Sequence, residues 1–155
     1  MKLTELIDEG HVALGVTATG PDDVLRVIAE DPAEGVGLPV GKIAAALEER
    51  EQLGSTSVGG GFAIPHCKLD GLKKVSVWLA RLSGPGVDFG AADGAPVCFF
   101  FVVLSPPDQP AAHLQILSQV ARILKRSEVR DALLVAGDTA EVLDIVRAAA
   151  SAEGT

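Results

Sequence analysis

The chain has 155 residues, of which 48% are hydrophobic and 4% aromatic, and its formal net charge is −8. We therefore expect a single domain over residues 1–155, with its core at about 3–150 and built mainly of aliphatic side chains. We expect no nucleic-acid partner, because such a partner requires a basic face. No apolar run reaches the roughly 20 residues of a membrane helix, and residues 1–10 do not resemble a signal peptide, so we expect a cytoplasmic protein that is not itself a membrane protein.

The first third of the chain is predicted to alternate between helix and strand. A short helix is expected at 2–8 and a strand at 11–16. A proline and two acidic residues open the segment 21–30 and are typical of a helix N-terminus. Gly and Pro are frequent in 31–41, so a loop is predicted there.

A second helix is predicted at 40–52, and its inward face carries an arginine. Ile43, Leu47 and Arg50 follow one another at spacings of four and three residues, which places them on one face of the helix. A buried, unpaired charge is costly. Arg50 is therefore expected to meet a negative partner.

Three strands are predicted between residues 62 and 104. The segment 62–66, Phe-Ala-Ile-Pro-His, is a short strand that lies at an edge or ends at Pro65, which has no N–H to donate. A longer strand is expected at 74–82. The run 97–104 has eight apolar residues and is predicted to be buried on both faces.

The last third of the chain is predicted to be helical, at 111–125, 128–136 and 139–150, with Asp138 as the N-cap of the last helix. The inward residues of the first of these helices are predicted to be Leu114, Leu117, Val120, Ala121 and Leu124. Strands covered by helices on both sides indicate an α/β fold.

Polar residues are expected to converge at one edge of this sheet. His66 ends a strand, and His113 lies in the first turn of the helix after the buried strand, so parallel strands would place both at the carboxyl edge. Arg50, the hydroxyls of Ser55 and Thr56, and the amides of the following glycine loop are groups that bind anions. With His66 as nucleophile, the set suits a phosphoryl group, although each residue also has an ordinary structural explanation.

Two blocks of the sequence carry a family resemblance. "EEREQLGSTSVGGGFAIPHCKLDGL" and "PVCFFFVVLSPPDQPAAHLQILSQVARIL" resemble, in order and separation, the signatures of fructose/mannitol-type (type-2) enzyme IIA domains of the bacterial phosphotransferase system (PTS). The resemblance extends over nearly the whole chain. It implies a mixed β-sheet flanked by helices on both faces, which agrees with the α/β fold expected from the residues.

The resemblance also implies a phosphotransferase without a cofactor. His66 matches the residue that becomes a tele-phosphohistidine, taking its phosphoryl group from an HPr- or NPr-like phosphocarrier. His113 matches the histidine that stabilises this group, and Arg50 matches the arginine that organises the site. Ser55 and Thr56 match the hydroxyl pair of the family and are expected to bind the phosphoryl group.

The opening "MKLTELI" and the "AIPHCKL" segment are most similar to the nitrogen-regulatory branch of the family. That branch implies phosphorylation-dependent binding to a regulated protein, such as a kinase or a potassium transporter. The alternative is a sugar-specific component that passes the phosphoryl group to a IIB domain.

Two positions depart from the usual pattern of the family. Gly60 stands where Asn is common, and Cys67 stands where Gly is frequent. Since neighbours in a strand point to opposite faces, Cys67 is expected to point away from His66. A metal site is not expected, because no carboxylate lies at ligand spacing from His66, His113 and Cys67. A nucleotide-binding P-loop is not expected either, since the glycine loop lacks the Gly-Lys-Ser/Thr ending.

Overall fold

Residues 1–154, which the computed structural model describes, form six strands, five α-helices and two short 3-10 turns. The helices are α1 Val24–Val36, α2 Val40–Glu51, α3 Pro110–Leu124, α4 Ser127–Val135 and α5 Thr139–Ala152. The strands are β1 Val12–Val16, β2 Ser57–Gly59, β3 Phe62–Ala63, β4 His66–Lys68, β5 Ser76–Leu82 and β6 Phe99–Ser105. Two 3-10 turns, Leu3–Glu5 and Glu9–His11, precede β1.

The strands form one mixed sheet in the order β1-β5-β6-β3-β2, and β4 also pairs with β6. The pairs β1–β5, β3–β6 and β4–β6 are parallel, whereas β5–β6 and β2–β3 are antiparallel. The two short strands β3 and β4 follow each other along one side of β6. The predicted mixed α/β sheet is confirmed.

Strand β6 is buried on both faces, as predicted, and it separates two apolar cores. Phe99, Phe101 and Val103 pack into the core that α3, α4 and α5 cover. Phe100, Val102 and Leu104 pack into the core that α1 and α2 cover. Because side chains alternate along a strand, this central strand has an apolar residue at every position from Phe99 to Leu104, and helices cover both faces of the sheet.

Pro65 divides the strand that was predicted at 62–66. Its nitrogen has no hydrogen to donate, so pairing along β6 stops after Ala63 and starts again at His66. The carbonyl of Pro65 still accepts the N–H of Val103 at 2.9 Å. His66 therefore begins β4, and the expectation that it ends a strand is wrong.

The loop predicted at 31–41 is largely helical, because α1 continues through Pro32 to Val36. Proline in a helix removes a hydrogen bond and crowds the preceding turn, at a cost of about 3 kcal/mol. Burial of Pro32 and its neighbour Ala33 in the second core opposes this cost. The helix ends at Gly37, whose φ of 73° is left-handed.

Helix α3 is rotated relative to its predicted orientation. Its buried apolar residues are Ile116, Val120, Ile123 and Leu124, which share a face with His113. Leu114 was predicted to be inward but is 66% exposed. Burial of these four apolar residues turns this face inward, and on it His113 contacts the buried Ser105 at the end of β6.

Among the other predicted helices, the structure differs from the prediction mainly at the N-terminus of the chain. The helix expected at 2–8 is a single 3-10 turn, in which the side chain of Gln119 accepts the N–H of Leu3 at 2.8 Å. Asp138 caps α5, as predicted, by accepting the N–H of Glu141 at 2.8 Å. None of the helices in residues 1–154 combines the length and apolar character needed to cross a membrane.

Gly35 in α1 lies against the ring of Trp78, and this contact gives a test of the packing. A Cβ atom at Gly35 would lie 2.0 Å from Trp78, whereas one at Gly41 in α2 would meet nothing within 4 Å. We expect Gly35→Ala to lower the free energy of unfolding by about 1–3 kcal/mol through overpacking. The matched control Gly41→Ala should raise it by up to about 1 kcal/mol or leave it unchanged. Urea denaturation measures both, and equal effects would contradict the packing described.

Candidate active site

A cleft opens where the C-terminal end of α2, strand β4 and the N-terminal half of α3 meet. Its lining comes from all three elements: Ala46, Glu49, Arg50, Leu53, His66, Cys67, Lys68, His113, Leu114 and Leu117. The structure thus brings together three of the five residues that the sequence predicted for the site, namely Arg50, His66 and His113. Ser55 and Thr56 are not part of this lining.

His66 is half-buried, and one hydrogen bond fixes the orientation of its ring. Its Nδ1 lies 2.7 Å from the carbonyl oxygen of Ile64. A carbonyl only accepts, so Nδ1 carries the proton and donates it. In the neutral ring, Nε2 then holds a free lone pair. The side chain is arranged as a nucleophile at Nε2.

The surroundings of His66 favour this neutral form. Burial is the main cause, and it lowers the pKa of His66 below its ordinary value. The hydrogen bond to Ile64 raises the pKa in part, and the charge of Arg50 lowers it further. The lone pair on Nε2 is therefore available at neutral pH.

His113 is buried, and a short contact orients it. Its Nδ1 lies 2.5 Å from Oγ of Ser105, at the end of β6. With the hydroxyl as the donor, the single ring proton of a neutral imidazole lies on Nε2. Burial, then the charges of His66 and Lys68, lowers the pKa of His113 to about 4. Burial is therefore the main reason that His113 is neutral at physiological pH.

The two imidazole rings face each other across the cleft. Their centroids are 5.5 Å apart, and their planes are inclined by 55°. One ring offers a lone pair on Nε2, and the other offers an N–H. Such a pair can attack an electrophile and donate a hydrogen bond to an oxygen of the same group.

Arg50 lies in the last turn of α2 and is half-buried. Its Nη1 donates to the carbonyl of Gly54 at 2.8 Å. The ion pairs within residues 1–154, Asp8 with His11 and Arg126 with Glu128, do not include it. Arg50 thus forms no ion pair with a carboxylate of the described residues, although its charge opposes the rise that burial causes in the pKa of the neighbouring Glu51. Its guanidinium can bind an anion in the cleft.

The hydroxyls of Ser55 and Thr56 are engaged elsewhere. Ser55 donates to the carbonyl of Phe89 at 2.7 Å. Thr56 is buried and donates to the carboxylate of Glu51 through a short hydrogen bond. Sequence spacing placed both residues near His66 but did not indicate where their side chains point.

Three glycines lie at the end of β2 and in the tight turn to β3. Gly59, Gly60 and Gly61 have φ values of 88°, 66° and 90°, which favour glycine. The N–H of Gly60 donates to the carboxylate of Asp93 at 2.9 Å, so this amide is not free to bind another anion. A Cβ atom at Gly60 would lie 2.5 Å from Nε of Arg130, so an asparagine there would displace that side chain.

Cys67 borders the cleft but is 7% exposed and packs into the core beneath α1 and α2. Burial raises the pKa of its thiol to about 12, so a reactive thiolate is not formed at neutral pH. Within residues 1–154, no group of three or more His, Cys, Asp or Glu side chains is arranged to hold a metal ion.

Sequence reasoning missed several residues that shape the site. Ser105 could have been found, since it is the polar residue that directly follows the apolar run 97–104. Lys68 is exposed in the cleft and, like Ser105, acts on His113. The carbonyl of Ile64 had no sequence signal, because every residue has a carbonyl.

Comparisons with known proteins agree with the family resemblance of the sequence. Residues 5–149 match the family described as "Phosphoenolpyruvate-dependent sugar phosphotransferase system, EIIA 2". The "Nitrogen regulatory protein" of Pseudomonas aeruginosa is 39% identical over 144 residues, 92% of each chain. The "PTS system fructose-specific EIIA component" of Haloferax volcanii is 43% identical over 101 residues, 65% of each chain.

A solved structure has the same fold. It is the crystal structure of "Nitrogen Regulatory Protein IIA-Ntr" from Neisseria meningitidis, with a TM-score of 0.86 and 28% identity. The match covers 93% of this chain and 98% of the other. The order of helices and strands described above is therefore shared with a nitrogen-type IIA protein.

The low pKa of His113 predicts a component of stability that depends on pH. The pKa of His113 is lowered from 6.5 to about 4 on folding, so its neutral form stabilises the folded chain above pH 6.5. That contribution should be lost as the pH falls from 6.5 towards about 4. Urea denaturation at several pH values should show a steeper decline for the wild type than for His113→Gln. Parallel curves would contradict the assignment.

Proposed function

This chain belongs to the type-2 EIIA family of the phosphoenolpyruvate-dependent sugar phosphotransferase system, and we propose that it is a phosphoryl carrier that works on His66. The phosphoryl donor is an HPr- or NPr-like phosphocarrier. The single observation that carries the proposal is the bond from Nδ1 of His66 to the Ile64 carbonyl, at 2.7 Å, which leaves Nε2 as the nucleophile.

The proposed step exchanges one phosphorus–nitrogen bond for another. The lone pair on Nε2 of His66 attacks the phosphorus of the donor's phosphohistidine, and a bond from Nε2 to phosphorus forms. The donor's phosphorus–nitrogen bond breaks, and its electron pair returns to the donor imidazole. The ring of His66 becomes positive, and the Ile64 carbonyl stabilises it through the proton that stays on Nδ1.

Arg50 and His113 are proposed to bind the oxygens of the phosphoryl group. Transfer of a phosphoryl group depends on positioning and on stabilising charge at these oxygens. Arg50 supplies a cation without a carboxylate partner, and His113 supplies the N–H on Nε2. Direct phosphoryl contacts by Ser55 and Thr56 stay a prediction. To make them, both hydroxyls would have to leave the acceptors that they bind in this structure.

The regulatory use of this chemistry is proposed from the exposed rim of the cleft and from the relatives. Leu53 and Leu114 are 83% and 66% exposed and border the cleft, where a protein partner can cover them. A phosphoryl group on His66 would place negative charge beside these leucines and change which partner binds. Regulated proteins such as a kinase or a potassium transporter are the proposed partners, in line with the nitrogen regulatory relatives.

The second candidate function is a sugar-specific component that passes the phosphoryl group to a IIB domain. The identity of 43% with a fructose-specific EIIA component favours it, over 65% of the chain. The two functions share the step at His66 and differ in the acceptor. Affinity capture with wild type and His66→Ala distinguishes them: partners that depend on phosphorylation support regulation, and a IIB protein alone supports sugar transfer.

The first test removes the nucleophile. Incubation with phosphoenolpyruvate, enzyme I and an HPr-like carrier should label the wild type with an acid-labile, base-stable phosphoryl group. We expect His66→Ala to stay unlabelled, whereas His11→Ala should be labelled like the wild type, because His11 pairs with Asp8 outside the cleft lining. Labelling of His66→Ala would contradict the proposal.

The second test removes the groups that bind the phosphoryl oxygens. Arg50→Ala should slow phosphoryl transfer by about 10²-fold, the usual effect of losing one stabilising group. His113→Ala should keep some acceptance with a reduced rate. The control Arg26→Ala, on the exposed side of α1, should have the wild-type rate. Wild-type rates for Arg50→Ala and His113→Ala would remove both residues from the site.

A further inference from the structure

We propose that Glu51 and Thr56 are positioning residues that hold both His66 and Arg50 in their active orientations. The inference rests on the proposed phosphoryl transfer, and it gives Thr56 a role other than direct phosphoryl binding. The two residues close the segment 51–56, here called the 51–56 loop, which joins the end of α2 to the start of β2.

Thr56 and Glu51 are joined by two hydrogen bonds. One carboxylate oxygen of Glu51 accepts the N–H of Thr56 at 3.1 Å, and the other accepts its hydroxyl. Thr56 is 6% exposed, and Glu51 is partly buried. Glu51 takes part in neither of the two ion pairs of residues 1–154. Both hydrogen bonds to its carboxylate come from Thr56. Burial raises the pKa of Glu51, and the bonds from Thr56 act in the opposite direction.

From Thr56 the connection continues to the nucleophile. The carbonyl of Thr56 accepts the N–H of Ile64 at 3.0 Å, and the carbonyl of Ile64 accepts Nδ1–H of His66 at 2.7 Å. Ile64 lies in the gap between β3 and β4, where Pro65 interrupts the pairing with β6. The bond from Thr56 extends the antiparallel pairing of β2 with β3 by one residue pair, and it holds Ile64, whose carbonyl orients His66.

The 51–56 loop also orients the guanidinium of Arg50. Arg50 directly precedes Glu51, and its Nη1 donates to the carbonyl of Gly54 inside the 51–56 loop, at 2.8 Å. The N–H of Gly54 donates to the carbonyl of Glu51 at 3.0 Å, and the bonds between the Glu51 side chain and Thr56 hold the other end of the loop. The neighbouring Ser55 cannot replace them, since it binds Phe89 in another segment.

A pair of variants at Thr56 tests the role of its hydroxyl. Thr56→Val keeps the shape and removes the hydroxyl, and Thr56→Ser keeps the hydroxyl. For Thr56→Val, we expect imidazole ¹⁵N spectra of His66 in the unphosphorylated protein to show a mixture of tautomers. The pKa of His66 should also fall, because the bond to Ile64 raises it. Thr56→Ser should restore both.

Transfer kinetics add a second measurement. For Thr56→Val, kcat for phosphoryl acceptance should fall about tenfold, as expected for a misplaced nucleophile. KM for the phosphocarrier should be unchanged, because the exposed rim of the cleft is intact. Glu51→Met, which keeps the length of the side chain and loses both acceptor oxygens, should act in the same direction. Glu48→Met, the same substitution at an exposed position of the same helix, should be neutral.

Melting curves identify a variant that fails to fold. If Thr56→Val is unfolded, Glu51→Met provides the same test. Wild-type tautomer, pKa and kcat in a folded Thr56→Val or Glu51→Met protein would overturn the positioning role. A wild-type protein that accepts no phosphoryl group would overturn the proposed function instead, and the spectra of His66 would still report on the loop.

Discussion

The hydrogen bond from Nδ1 of His66 to the carbonyl of Ile64 is the interaction on which the site depends. It decides which ring nitrogen holds the lone pair, and it directs that nitrogen towards the cleft. Pro65, between Ile64 and His66, has no N–H to pair with β6, and the register on β6 is the same before and after it. The proposed nucleophile is therefore held at the first residue of β4 by a carbonyl two residues before it.

The sheet and its two layers of helices bring the other groups to this point. β6 fills both cores and ends in Ser105, whose hydroxyl orients His113. α2 lies on one face of the sheet and carries Arg50, whereas α3 lies on the other face and carries His113. Burial keeps both imidazoles neutral at physiological pH, so the cation of the cleft is supplied by Arg50, with Lys68 at its exposed side.

Much of this arrangement could be predicted from the sequence. The apolar run of β6 identified the centre of the sheet, and spacing and order placed Arg50, His66 and His113 at one edge. Predictions failed where packing outweighed local preference, as in α1, which continues through Pro32 because burial opposes the lost hydrogen bond. They also failed where one helix carries two overlapping apolar stripes, as at Leu114, which is exposed because the stripe of Ile116, Val120 and Ile123 faces the core.

Phosphorus–nitrogen coupling measured by NMR shows directly whether Nε2 of His66 carries the phosphoryl group. The protein would be labelled with ¹⁵N in its imidazole rings and phosphorylated by a carrier protein. We expect coupling of phosphorus to Nε2 of His66, with the proton retained on Nδ1. Coupling to Nδ1 of His66, or to a nitrogen of His113 or His11, would contradict it.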